Sequence, residues 1–273
     1  MEDWRSIESA LKAFDPIGLD EMKAVRLMNR VDQKYIMPRR LLPELLEGIA
    51  TEYFVQRIGG EAVARYHTLY FDTEDLQMYT QHHNKKLTRQ KLRIRTYMSS
   101  PTLTTFFEIK NKNNKKKTKK IRIEVSRSVF DSALAEPSVQ DFVNANTPYR
   151  QGDLIEQLEN RFGRITLVDK GMHERVTIDS DVAFHNRHTN CDVSLSRLVI
   201  LEVKHEVGAP VSPIERALLS MRVHPQRISK YCIGTVLTNA DCKYNRFKDR
   251  VRQIERLTDG QCAAQTPNKE LFY

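Results

Sequence analysis

The sequence predicts an α+β fold, a closed antiparallel β-barrel tunnel of about eight strands with a polar, cationic lumen and flanking helices. Two observations carry this prediction. Strand-length segments follow one another across polar or proline-containing turns without regular strand–helix alternation, which argues against a doubly wound parallel sheet. Along those segments lysine, arginine and glutamate recur at every second position, and residues two apart in a strand share one face.

The elements follow in order. Residues 4–13 (WRSIESALKA) have helical spacing, Asp15-Pro16 stops that helix, and a second helix is expected around Leu19 to Leu27. From Asn29 the text RVDQKYIMP reads as a strand ended by Pro38, and RRLLPELLEGIA after it as an amphipathic helix. Strands are expected at Ala62 to Phe71, Leu87 to Tyr97, Leu103 to Lys110 and Lys120 to Val129, forming a meander of hairpins. A helical, acidic middle is expected from Ser132 to Phe162. Strands return at Arg164 to Val168, Glu174 to Phe184 and Arg197 to Glu206, and helices close the chain. These boundaries divide the chain into an N-terminal helical segment (1–28), a tunnel domain (29–245) and a C-terminal helix and tail (246–273). The lysine-rich segment KNKNNKKKTKK, Lys110 to Lys120, reads as a solvated hairpin tip.

Alternation sorts the side chains. Asp32 and Lys34 share a face, as do Lys91, Arg93 and Arg95, opposite Leu92 and Ile94. Glu108 pairs with Lys110, and Arg122 with Glu124. Arg175, Thr177 and Asp179 lie opposite Val176 and Ile178, and Glu202, Lys204 and Glu206 lie opposite Leu201 and Val203. A merely solvated face would carry many Ser, Thr, Gln and Asn, whereas long cations with a few carboxylates dominate this one. Two lysine charges about 6 Å apart repel by roughly 2.8 kcal/mol at an effective dielectric of about 20, so a closed lumen with this lining calls for an anion. Arginine forks match phosphate oxygens bidentately, lysines act as point charges, and a carboxylate can hold a hard divalent cation, which is the inventory phosphoryl transfer requires.

Composition narrows the function classes. With 273 residues, 40% hydrophobic and 29% charged, the chain is neither disordered nor membrane-embedded. The longest apolar runs, such as Leu198 to Val203, are strand-length and contain Glu202, and Met1 to Asp15 lacks the apolar stretch of a signal peptide. The four cysteines (Cys191, Cys232, Cys242, Cys262) form no CxxC pair, which fits a reduced, cytoplasmic protein. A net charge of +9 implies an anionic partner. Nucleic acid is not expected, because the lysine run lacks stacking aromatics and no RNA or DNA motif accompanies it. His67, His82, His83, His173 and His205 are scattered without a nucleophile, and Ser128, Ser194 and Ser196 sit in no GxSxG elbow, so a hydrolase triad is not supported.

The pieces LMNRVDQKYIMP, YFDTEDLQMY, KLRIRTY, FFEIKNK, ERVTIDSDV, VILEVKHE and QRISKYCIG, from about Asn29 to Gly234, follow an order that resembles the VTC domain. This is the polyphosphate polymerase domain of the vacuolar transporter chaperone type, here in a bacterial form, within the triphosphate tunnel metalloenzyme (CYTH-like) superfamily. The resemblance implies a tunnel in which ATP gives its γ-phosphate to a growing inorganic polyphosphate chain, with Mn²⁺ or Mg²⁺ as cofactor. It implies phosphate ligands at Lys34, Arg93, Arg95, Lys110 and Arg175, with Ser229 and Lys230 at a helix start near the tunnel end, and the metal on Glu202. Ion pairing is the competing role for Glu202, with Glu108, Glu124 or Glu206 as other metal carboxylates, and capping is the competing role for Ser229. Where relatives carry an additional basic residue on a longer hairpin, this chain has the short DKGMHE, and Lys170 is its substitute. The absence of an N-terminal ExExK signature favours the polymerase over a tunnel triphosphatase, which stays an alternative beside a non-catalytic polyphosphate-binding accessory protein. No direct membrane insertion is expected, so a membrane partner would be a separate protein.

Overall fold

The computed structural model describes residues 2–24, 30–100, 103–115 and 117–260. An eleven-stranded sheet dominates it, in the order β2-β11-β9-β8-β4-β5-β6-β7. These strands are β2 (Arg30–Pro38), β4 (Val63–Asp72), β5 (Arg89–Tyr97), β6 (Thr105–Lys112), β7 (Thr118–Val125), β8 (Ile155–Asp169), β9 (Glu174–Asn186) and β11 (Leu198–Glu206). β10 (Cys191–Leu195) adds to β9, β3 (Tyr53–Gln56) adds to β8, and β1 (Asp15–Ile17) pairs with β3 in the one parallel contact among these ladders.

The expected closed barrel is not formed. β2 and β7 end the sheet, and no ladder joins them among the described residues. Closure would require the two edges to exchange backbone hydrogen bonds, but the Lys34 carbonyl on the β2 edge instead accepts from Gln226 N at 2.7 Å. The sheet is nevertheless strongly curled. Across a flat sheet, five strand spacings of about 4.8 Å would put β2 and β5 roughly 24 Å apart. Here Gln226 N donates to the Lys34 carbonyl of β2 at 2.7 Å while Ser229, three residues on, accepts from Lys91 Nζ of β5 at 2.7 Å. Register shifts at Tyr70/Phe71 and Arg161/Gly163 bend the long strands β4, β8 and β9, as bulges do.

The alternation read from the sequence sorts the two faces. Tyr35 and Met37 of β2, Val199, Leu201 and Val203 of β11, Val176 and Ile178 of β9, and Ile165 and Leu167 of β8 pack on the convex side. Covering them are α1 (Glu2–Leu11), α2 (Leu42–Glu47) and α5 (Pro213–Ser220). A second convex cluster joins Leu69, Phe71, Leu92, Ile94, Phe107 and Ile109 to α3 (Gln77–His83) and α4 (Pro137–Asn146). On the concave side, α6 (Lys230–Thr238) packs on Ile36, Ile200, Val182, Phe184, Leu158 and Phe162, and α7 (Lys248–Leu257) adds Ile254. Gly234 permits the close seat of α6, because a Cβ there would fall 2.5 Å from the Phe184 ring.

Several sequence expectations need correction. The helical middle ends at Asn146, and 155–162 opens β8 instead. Leu154 and Leu158 stand four apart and mimic a helix, whereas in the sheet Leu158, Asn160 and Phe162 pair with Tyr70, Thr68 and Tyr66. The predicted helix around 19–27 is a short 3₁₀ turn at Glu21–Ala24, and residues 25–29 of that prediction and of the LMN motif start lie outside the described residues. β1, β3, β10 and α3 are unpredicted, being short or, for α3, entered through Leu76 in the left-handed region (φ 56).

Candidate functional site

The concave face carries the charged residues in transverse rows set by strand register. Lys34 stands opposite Glu202, and Glu202 opposite Thr177. Asp32 faces Lys204, which faces Arg175. Asp179 faces Arg164 on β8. On the other half, Arg95 is opposite Thr68, Arg93 is opposite Tyr70 and Glu108, and Lys110 is opposite Lys91 and Lys120. The face is enclosed enough to bury its charges: Arg93 is 8% exposed, Arg95 6%, Lys204 8% and Glu108 0%.

Three carboxylates bind most of the cations on these rows. Glu108 accepts from Arg93 Nε at 2.7 Å and from Lys120 Nζ at 2.9 Å. Asp179 takes a two-point grip from Arg164 (2.6 and 2.8 Å) and a contact from Lys230. Lys34 and Lys204 both donate to Glu202. The remaining cations are left crowded. With neighbouring strands about 4.8 Å apart, two adjacent cations repel by about 3.5 kcal/mol at an effective dielectric of about 20. Accordingly Lys110 is held well below the ordinary lysine range, first by Arg93, then by burial, Arg95 and Lys91. Burial and then Arg93 push Arg95 down to about 10. Burial by itself raises the Tyr70 phenol, but Arg93, Arg95, Lys230 and Lys91 outweigh it and the net shift is downward. A phenol whose pKa falls despite burial reports a positive potential.

α6 delivers its first turn to this potential. Ser229 caps the helix by accepting from Cys232 N at 3.4 Å, as the capping reading anticipated, and also accepts from Lys91 Nζ at 2.7 Å. Lys230 reaches across to Asp179 and lies 4.6 Å from the centre of the Phe162 ring. Asp72 holds this arrangement in place: Oδ1 accepts from Thr73 N and Met78 N at 2.8 Å each, and Oδ2 from Tyr79 N at 2.9 Å and from the Tyr231 hydroxyl. The buried carboxylate thereby ties the start of α3 to the first turn of α6.

The structure thus brings Lys34, Arg93, Arg95, Lys110, Arg175, Glu202, Ser229 and Lys230 onto one face. Lys170 is placed elsewhere, in the β8–β9 turn, donating to the exposed Asp15 at 2.8 Å. Lys91, Lys204, Arg164, Thr177 and Tyr70 belong to the group although sequence reasoning did not select them as ligands. For Lys91, Lys204 and Thr177 the signal was present in the same alternation; Arg164 sat at the assumed strand start, and a tyrosine gave none. The Thr177 hydroxyl, buried beside Glu202, has no hydrogen-bond partner. Among the described residues, no three His, Cys, Asp or Glu side chains gather as a ready-made metal site, and no helix is long and apolar enough to cross a membrane. Cys191, Cys232 and Cys242 are free thiols, and Cys262 lies outside the described residues.

Solved structures resemble this chain only distantly. A Hippeastrum protein described as an adenylyl cyclase with a dominant triphosphatase activity is 13% identical, with a TM-score of 0.49, covering 77% of this chain and 96% of its own. An adenylate cyclase-like protein from Bacillus halodurans is 13% identical at a TM-score of 0.38, covering 90% of this chain and 100% of its own. A conserved protein of Pyrococcus furiosus is 12% identical at 0.39, covering 75% and 99%. No curated protein matches. The VTC domain profile, by contrast, matches residues 29–239, which include every charged row of the concave face. The resemblance drawn from the ordered motifs therefore holds, and this chain belongs to the VTC domain family.

Proposed function

We propose that the concave face binds inorganic triphosphate and polyphosphate, and that the domain transfers the γ-phosphoryl group of ATP to a polyphosphate chain. The observation carrying this reading is the unbalanced positive charge of one buried face, with Lys91, Ser229 and Lys230 meeting at the start of α6. A row of alternating cations on a curled sheet suits an extended anion of repeating charge, and the first turn of α6 adds backbone N–H donors and its dipole. In this reading Arg93, Arg95 and Arg175 would neutralise equatorial phosphate oxygens, and Lys34, Lys110 and Lys230 would hold the flanking phosphates. The attacking group is a terminal phosphate oxygen of the acceptor chain. It forms a new P–O bond to the γ-phosphorus while the bond to the β-γ bridging oxygen breaks, and the electron pair leaves with ADP.

The residues present fit a divalent cation in one place. Glu202, whose two carboxylate oxygens are each taken by a lysine here, would be freed to hold the ion, and the partnerless Thr177 hydroxyl lies next to it, a donor set for Mn²⁺ or Mg²⁺ completed by substrate oxygens. Such an ion would supply charge neutralisation on the phosphates. Lys34 and Lys204, which hold Glu202 here, would turn toward phosphate when it is engaged.

The test is purified protein with ATP and Mn²⁺, analysed by gel for polymer and by assay for free phosphate, beside Lys230→Ala. Polymer from the wild type and its loss in the variant is the expected result. Phosphate without polymer would assign the face to triphosphate hydrolysis, and binding without turnover, unaltered by Glu202→Gln, to an accessory role.

A further inference from the structure

Lys110 and Lys120 of the lysine-rich β6–β7 hairpin belong to the site, whereas its outer part, with Lys112, Lys115 and Lys117, is not used there. On β5 and β6, Lys91 stands opposite Lys110, and one step outward Arg89 stands opposite Lys112. Lys110 also stands opposite Lys120 of β7. These positions share the concave face with Arg93 and Glu108, because each is an even number of residues away along its strand. Glu108 lies inward of them, already engaged by Arg93 and Lys120. Between Glu108 and Glu124 the sequence contains no acidic residue. At the turn, Asn113 and Lys117 close the hairpin through Asn113 N to Lys117 O at 3.0 Å, with Lys115 and Lys117 exposed. The field converges as well: His82 is held neutral first by burial, then by Lys91, Arg89 and Lys112.

We propose that this outward continuation is the path along which a long inorganic polyphosphate chain runs between the buried site and solvent, with the hairpin tip binding phosphates that a short chain cannot reach. The proposal rests on the phosphate-binding reading above and adds a direction and a length dependence to it. A solvated turn would have no reason to exclude carboxylates over its whole length, whereas a surface that a polyanion travels along would be weakened by each one. The cations also pass from the half-buried Lys110 to the exposed Lys115 and Lys117 without an intervening carboxylate, so a bound chain meets no repulsive step.

Binding of tripolyphosphate and of long-chain polyphosphate to the full chain tests this by calorimetry or fluorescence competition. The tip variant Lys112→Glu/Lys115→Glu/Lys117→Glu is compared with a variant of equal charge change elsewhere, Lys12→Glu/Lys243→Glu/Lys248→Glu. The tip variant should lose about tenfold or more in affinity for the long chain, with a shallower salt dependence, and keep its tripolyphosphate affinity within about twofold. The distant variant should keep both. Equal losses in the two variants, or an unchanged long-chain affinity at the tip, overturn the path. A single-stranded oligonucleotide bound more tightly than polyphosphate, and lost with the tip, overturns it in favour of nucleic acid. A wild type that binds neither phosphate overturns the phosphate-binding reading itself.

Discussion

Glu108→Gln should move stability and affinity in opposite directions. Glu108 is fully buried and receives Arg93 and Lys120, which together with Arg95 hold its carboxyl far below the usual range although burial opposes this. Glutamine keeps one acceptor and the shape but removes the charge, leaving Arg93 and Arg95 beside a neutral partner. Breaking a buried ion pair in this way costs about 3–5 kcal/mol. Glutamine retains a hydrogen bond to Arg93, and Lys120 is partly exposed, so the low end of that range applies. At about 2–4 °C per kcal/mol for a protein of this size, Tm should fall by roughly 10 °C. The same carboxylate repels an incoming phosphate. At about 10 Å and an effective dielectric of about 20, one pair of charges contributes about 1.7 kcal/mol, more than tenfold in Kd. Tripolyphosphate should therefore bind the variant more tightly and recover much of its lost Tm, since saturation at 100 times Kd stabilises by about 2.7 kcal/mol. Thermal denaturation with and without tripolyphosphate, and a direct titration, read both quantities. Weaker binding by the less stable variant would refute the charge argument and make Glu108 a positioning residue for Arg93.

Three further outcomes follow from other parts of the molecule. Burial raises Glu159, but His67 at 3.0 Å and Arg187 at 2.8 Å outweigh it and bring it down to about 2. Against an ordinary value of about 4.3, this depressed pKa contributes about 3 kcal/mol above that pH, lost as pH falls toward 2. The urea midpoint of Glu159→Gln should lie well below wild type at pH 7, with the gap shrinking by about half near pH 3 and closing toward pH 2; a gap independent of pH would contradict this. Gly234→Ala gains helix propensity but drives a Cβ to 2.5 Å from Phe184 and 2.6 Å from Leu158, so denaturation should show a net loss of about 1–3 kcal/mol together with weaker tripolyphosphate binding as α6 shifts. Tyr231→Phe takes one donor from the buried Asp72 and should cost about 1–3 kcal/mol; a variant with unchanged stability and unchanged phosphate affinity would show that Asp72 does not position α6.

Much of the site was legible because strand alternation is a local rule. Arg93 and Arg95 in KLRIRTY, Lys110 in FFEIKNK and Glu202 in VILEVKHE each sit between apolar neighbours that must face the core, so their own direction follows. What could not be read was how these faces meet. Glu202 is gripped by two lysines rather than standing open, which depends on Lys34 lying across from it on a strand 168 residues away in sequence. Arg164 joined the site because β8 begins nine residues earlier than its helix-like leucine spacing suggested. Lys170 was chosen by its place in a hairpin, and the partner that places it away from the face, Asp15, lies on a strand too short to leave a pattern.

The sequence by itself determined the side-chain faces, the sign of their charge and the family, since period-two alternation and motif order need no knowledge of which strands pair. Only the tertiary structure decided that the sheet stays open between β2 and β7 while curling, that Glu108, Asp179 and Glu202 are the carboxylates spent on neighbouring cations, and that α6 inserts its first turn into the concave side. The physical reason is range. Alternation is a property of consecutive residues, whereas edge pairing, bulge placement and the seating of a helix on a single glycine are settled by contacts between residues far apart in the chain.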